Sequence, residues 1–448
     1  MIRDSPINGL RQQGMKSDNQ KKDNVFQNRN FRLVFLGALV SELGAILYSF
    51  AVSFYILEIS DNNAFLQGLY LALCGAMMLI FTPVGGVLGD RKSKAKIMFV
   101  CDFMKGGVII LATVLMLLFS EPRAHIVILF VLGIFGNAVS GIFNPAAGAL
   151  FPLIVEESQL QQANSYFTMK SSLESILGVI LAGILYAALP IHVLFFFVGI
   201  CFVASGISEM LIRYDFVPSE EPLTLRLALH DMGDGVTYLK TKKAILALLA
   251  SVLFINFFFA PVTGNFLPYF IKKDLASAPY YLFDNVLKPE LWSSVFSVCI
   301  GLSSLLGAAI LSGRPQADKC GRKVSRLLCY VAALIIGLTF CYAVFVDRGA
   351  RINAFLIAFS LGCAMIGFLI SCINIPVTTA IMRIVDKDKL SKVNSLTSIG
   401  SQGMIPIASV LAGVILNAFG STVLLAFCSL GFTVTAISLL FSRQFKKL

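Results

Sequence analysis

Five ionisable residues sit inside long apolar stretches of this 448-residue chain: Glu42, Asp102, Lys105, Lys170 and Glu174. A carboxylate withdrawn from water and left without a full partner favours its neutral form and can take up and release a proton near neutral pH. Asp102 and Lys105 are spaced i,i+3 and Lys170 and Glu174 i,i+4, so on a helix each pair shares a face. Three carboxylates against two ammoniums leave one negative charge over. One of these carboxylates is therefore expected to couple protons, and Glu42 is the first candidate. Lys170 is the modulator of Glu42, and Glu174 is the second candidate. Asp102 and Lys105 lie shallower and read more readily as a structural pair. Each charge facing lipid at a helix centre would cost about 2.5–3.5 kcal/mol, so the set must face a bundle interior or a water-filled cavity.

The elements that position these residues follow from composition. Hydrophobic residues make up 57% of the chain and charged residues only 14%, against about 25% in a soluble domain; mean hydropathy is +0.82. Apolar runs long enough to span a bilayer recur as twelve predicted helices: 31–59, 65–88, 97–119, 126–148, 164–187, 190–212, 244–271, 291–312, 324–346, 352–376, 394–417 and 420–442. The runs are continuous rather than alternating, which excludes a β-barrel. The expected fold is an all-α membrane protein. The first 30 residues are polar, so no cleaved signal peptide is expected. With the N-terminus inside the cell, the inner segments hold 28 Lys and Arg residues and the outer loops 6, which places both termini in the cytoplasm. The net charge of +11 thus reports topology and anionic lipid, not nucleic acid.

The chain also repeats itself. Ile154-Val155-Glu156-Glu157, Asn164-Ser165 and Leu181-Ala182-Gly183 return 230 residues later as Ile384-Val385-Asp386-Lys387, Asn394-Ser395 and Leu411-Ala412-Gly413. Two six-helix halves are expected, over 31–212 and 244–442, between a cytoplasmic tail at 1–30 and a second at 443–448. The join at 213–243 carries Leu225, Leu229, Met232, Val236 and Leu239 at helical spacing, an amphipathic linker helix on the membrane surface.

A charged loop is duplicated as well. Gly86-Val87-Leu88-Gly89-Asp90-Arg91-Lys92-Ser93-Lys94-Ala95-Lys96 has a weaker copy in Asp318-Lys319-Cys320-Gly321-Arg322-Lys323. A tight turn needs small residues, supplied by Gly86 and Gly89. Asp90 can pair with Arg91 or Lys94, or accept from exposed helix N–H groups. The pattern Gly86-x-x-x-Asp90-Arg91-x-Ser93-x-Ala95-Lys96 resembles the loop between helices 2 and 3 of the major facilitator superfamily. Asn28-Arg29-Asn30-Phe31-Arg32, Phe143-Asn144-Pro145-Ala146-Ala147 and the stretch from Pro261 to Pro268 are similar to its macrolide-efflux and enterobactin-exporter branch of drug:proton antiporters. The resemblance implies a gating role for Gly86, Asp90, Arg91, Lys94, Asp318, Arg322 and Lys323, with Asp90 holding the cytoplasmic side closed. Two departures stand out: Ser93 replaces the family's glycine, and Gly178 is followed by Val179 where antiporters often carry proline.

Polar candidates for a substrate cavity are Tyr48, Asn137, Asn256, Asn265 and Gln402; such amides serve equally to bond one helix to its neighbour. The ten cysteines show no metal-ligand spacing, and His125, His192 and His230 lie at span ends or in the linker, so neither metal nor cofactor is expected. There is no HExxH and no P-loop, which argues against an enzyme or an ATP-driven pump. The resemblance implies a monomeric transporter in a bacterial plasma membrane that exports an amphipathic or cationic small molecule, such as a drug, macrolide or siderophore, in exchange for protons. A proton-independent facilitator and a lysolipid or metabolite transporter stay open.

Overall fold

The computed structural model describes residues 25–156, 159–214, 243–312, 321–347, 351–384 and 402–442. Within them the chain forms twelve helices: α1 Arg29–Ile59, α2 Ala64–Arg91, α3 Lys94–Leu118, α4 Pro122–Ile154, α5 160–188, α6 Ile191–Met210, α7 243–275, α8 Leu291–Ser312, α9 Gly321–Asp347, α10 Ile352–Ile384, α11 Ile405–Phe419 and α12 Ser421–Phe441. Eleven are long and apolar enough to cross a membrane, and α11 is shorter among the described residues. The amphipathic linker, Asp318 and the whole 385–401 segment lie outside the described residues, as do the side chains of Asp90 and Arg91.

Local sequence sets the helix starts. Asn28 caps α1, accepting from the N–H groups of Asn30 and Phe31, and Asn63 caps α2 in the same way. Asn28 and Asn30 also tie the start of α1 to its neighbours. Asn28 Nδ2 donates to the Ile154 carbonyl at 2.7 Å, and Asn30 Nδ2 donates to that of Arg213. Ser93 caps α3 after the charged loop.

The repeat is legible in burial as well as in sequence. Adding 230 to the buried positions of α6 (Leu194, Phe195, Val198, Gly199, Phe202, Ser205, Gly206 and Glu209) yields eight positions of α12, all buried. The same shift carries Ala95, Met98, Cys101 and Asp102 of α3 onto the buried Ser325, Leu328, Val331 and Ala332 of α9. Two bundles thus share one packing plan.

The halves meet through small residues. A carbon added at Gly68 would lie 2.3 Å from the Ser409 carbonyl oxygen, and one at Gly413 would lie 2.6 Å from that of Ala64, so α2 and α11 touch backbone to backbone. Gly75 packs on Pro406 of α11. On the opposite seam, Ser294 of α8 donates to the Val179 carbonyl at 2.7 Å, and Gly183 packs against Ser294. All these contacts lie in the half of the molecule that holds the α1–α2 turn, called here the far face. The face that carries the start of α1 is the near face.

Three helices carry π-helical turns, α5 and α7 within their spans and α7 and α9 (Ala343–Asp347) also at their last turn. α5 contains a π-helical turn at Glu174–Gly178, and α7 has one at Val262–Phe266 and another at Ile271–Leu275. Such turns leave backbone groups off the regular ladder and recur at functional sites. The sequence lacks the expected proline after Gly178, and the π-turn supplies the irregularity there instead.

Candidate functional site

The halves enclose a cavity of about 560 Å³. Its wall is aromatic and aliphatic, with Phe50, Phe54, Phe259, Phe296 and Phe359, relieved by the hydroxyls of Ser49, Ser53, Thr263, Ser293 and Ser297. Glu42 of α1 is its one charged lining residue among those described. The Glu42 side chain is exposed and makes no hydrogen bond or ion pair with a described residue. A second space, between α5 and α8, adjoins the cavity and shares Glu42, Ile46, Val179, Ser297 and Ile300 with it. Lys170 and Glu174 line this crevice. Their i,i+4 spacing becomes a buried two-pronged ion pair, with Lys170 Nζ 2.9 and 3.0 Å from the two Glu174 oxygens.

The sequence-based cavity residues are placed elsewhere. Tyr48 turns into the first bundle, where its hydroxyl meets that of Tyr70 at 3.1 Å. Asn137 Nδ2 donates to the Gly133 carbonyl of its own helix. Asn265 is fully buried and donates to the Ser409 carbonyl, joining α7 to α11. Asn256 donates to Val252 and lines a separate space within the second bundle. Gln402 is exposed just ahead of α11. None of the five lines the central cavity; apart from Glu42 its polar side chains are hydroxyls, and of the amides Asn265 joins two helices while Asn137 and Asn256 bond their own.

The first bundle holds a second set of charges. Asp102 is fully buried, and it shares its pocket with Glu209 of α6, which is 1% exposed. Ser205 adjoins Asp102, but neither its Oγ nor any of the four carboxylate oxygens makes a well-formed hydrogen bond. Lys105 shares the expected face with Asp102 but makes no contact ion pair; its ammonium sits over the rings of Phe143 and Phe202, 4.9 and 5.3 Å from their centroids. The i,i+3 spacing therefore gave proximity without pairing. Glu209 was absent from the sequence-based set because it falls near the end of the sixth apolar run, where a charge ordinarily reaches the interface. Only the tertiary fold shows it buried. The interior count becomes four carboxylates against two ammoniums.

At the far face a third cluster bridges the halves. Lys272 at the end of α7 binds Glu58 of α1 at 2.8 Å and Glu290, just before α8, at 3.0 Å. Tyr186 of α5 donates to the same Glu58 oxygen at 3.0 Å, and Lys288 donates to the Ala187 carbonyl. At the near face the gating loop is only partly described, since the side chains of Asp90 and Arg91 and the whole of Asp318 lie outside the described residues. Nothing lies within 4 Å of a carbon added at Gly86, Lys94 donates its backbone N–H to the Tyr214 hydroxyl, and Arg322 and Lys323 are exposed at the start of α9.

Two bundles related by one packing plan, closed on one face around a central cavity, are the architecture of an alternating-access carrier. The sequence profile of the Major Facilitator Superfamily matches residues 34–409. The chain belongs to the major facilitator superfamily. This facilitator is 26% identical to the uncharacterized MFS-type transporter YkuC of Bacillus subtilis over 64% of its own length and 65% of that protein. It is 25% identical to macrolide efflux protein A of Streptococcus pyogenes, over 53% of this chain and 57% of the relative. The chain thus spans less than two thirds of these two relatives in the matched regions. Its fold matches the crystal structure of a bacterial homologue of the iron transporter ferroportin with a TM-score of 0.66 at 15% identity, covering 92% of this chain and 99% of that one. The chain is a multi-pass membrane protein of this transporter superfamily.

Proposed function

We propose that this transporter exports amphipathic organic cations from a bacterial cell in exchange for protons. The carrying observation is Glu42, an unpartnered carboxylate on the wall of an otherwise apolar, aromatic cavity. A cationic group of the cargo would meet Glu42 while its apolar body lies against the phenylalanines, a pairing worth more at low dielectric than in water. The similarity to an efflux protein supports export, and the excess of Lys and Arg in near-face segments supports a cytoplasmic near face with both termini inside. On that orientation the structure is closed to the outside. The crevice between α5 and α8 favours one addition: an amphipath can reach the cavity sideways from the inner leaflet, which keeps a lysolipid-like cargo as the second reading.

The test uses the full chain in proteoliposomes with radiolabelled erythromycin, a macrolide bearing a tertiary amine. An imposed pH gradient should drive its accumulation, and Glu42→Gln should lower its affinity at least tenfold while leaving the protein folded. Equal affinity in Glu42→Gln and parent would exclude Glu42 as the anchor.

A further inference from the structure

The two bundles share a packing plan but fill it differently. Where the first bundle places Cys101, Phe143, Phe202 and Glu209, the second, 230 residues on, places Val331, Ile373, Phe432 and Leu439, and these four line a space of about 300 Å³ whose other lining residues, Ser251, Asn256 and Asn374 among them, are all uncharged. Asp102 and Lys105 correspond to Ala332 and Ile335, both buried. The fold therefore does not need charge at this position; one half builds the same bundle from uncharged residues. The first half nevertheless holds two carboxylates and one ammonium there, with the carboxylate oxygens unbonded. Removing such groups in favour of well-packed apolar ones is often neutral or stabilising, so a purely structural role leaves their presence unexplained.

We propose that the Asp102–Lys105–Glu209 cluster is the transporter's proton site, separate from the cargo cavity. The proposal rests on the proton-coupled reading above. Two carboxylates facing one ammonium carry a net charge of −1, and binding one proton makes the cluster neutral; the proton resides on Asp102 or Glu209 as a carboxylic acid and leaves as a hydron with no other bond changed. The titratable groups facing it are Cys101 and Lys105 from α3, Glu209 from α6 and Glu42 from α1. Ser205 adds a hydroxyl, and α4 contributes the uncharged Phe143. Glu42 thus stands on the cavity wall and within the electrostatic reach of the cluster. A cationic cargo at Glu42 and a proton at the cluster then oppose one another through the field, and the antagonism is reciprocal. That is the linkage exchange requires, and it needs no shared binding atom.

Two readouts test this. Infrared difference spectra of the purified full chain between acid and alkaline buffer should show a carboxylic-acid carbonyl band. The band should vanish in Asp102→Asn or Glu209→Gln and persist in Glu121→Gln, an exposed carboxylate just before α4. In proteoliposomes, a gradient of one pH unit with one proton per turnover can hold up to about tenfold accumulation of erythromycin. Both variants should keep erythromycin exchange at equal pH while losing that accumulation. The triple variant Asp102→Ala, Lys105→Ile, Glu209→Leu, which copies the second half, should fold, exchange and show no response to the gradient. A band and a gradient response retained in both single variants overturn the site. A parent that shows the band but no gradient response overturns the coupled-export reading and leaves the site standing. If the triple variant fails to fold, the isosteric single variants decide.

Discussion

Gly68→Ala should open the far face. A methyl carbon at this position would lie 2.3 Å from the Ser409 carbonyl oxygen and 3.2 Å from Gly413 Cα. Both obstacles are backbone, so no side chain can swing away; α2 and α11 must part. Overpacking of this kind costs about 1–3 kcal/mol. The clash exists only while the halves are closed at the far face, so the cost falls on one state. The ratio of far-face-open to closed molecules should then rise by about 5- to 150-fold. Electron–electron distance measurements would read this. Spin labels at Asp61, on the α1–α2 turn, and Asp284, between α7 and α8, sit on opposite halves at exposed positions. Their distance distribution should gain a longer component in Gly68→Ala. Gly107→Ala is the control, because nothing lies within 4 Å of its added carbon. A distribution unchanged in Gly68→Ala, with the protein monodisperse, would refute the reasoning that this glycine contact holds the closed state.

Further outcomes follow from the charge clusters. Lys272→Met leaves Glu58 and Glu290 facing each other without their cation, so the same labels should report far-face opening, and high salt should mimic part of the effect in the parent. Lys170 is 6% exposed and its one acidic partner among the described residues is Glu174, so Glu174→Gln should destabilise the first bundle by about 3–5 kcal/mol, seen as a lower melting temperature in detergent. Restoring apolar balance with Lys170→Met in that background should recover most of the loss; no recovery would mean that the pair acts through something other than burial of an unpaired charge. Leu439→Phe, which grows into the second bundle's 300 Å³ space, should leave the melting temperature within a few degrees of the parent, whereas Ala436→Phe, at a position 1% exposed, should lower it clearly.

The sequence by itself determined the helices, because runs of apolar residues have no other way to satisfy their backbone inside a bilayer. It determined the repeat, since identical order at a constant offset survives in burial as well as in letters. It also determined the Lys170–Glu174 pair, because i,i+4 spacing fixes a shared face within one helix. The tertiary structure decided what each face looks at. These helices are apolar nearly all round, so periodicity does not distinguish a lipid-facing side from a cavity-facing one. That is why Asn265 bonds α7 to α11 and Asn137 its own helix while hydroxyls line the cavity, and why Glu42 is the one charge in it. Lys272 and Glu58 are 214 residues apart, and no local rule joins them. Glu209 is the sharpest case. Its letter and its place near the end of an apolar run fit a charge that reaches water, and only the packing of α6 on α3 buries it beside Asp102, where a second carboxylate changes what the bundle can do with a proton.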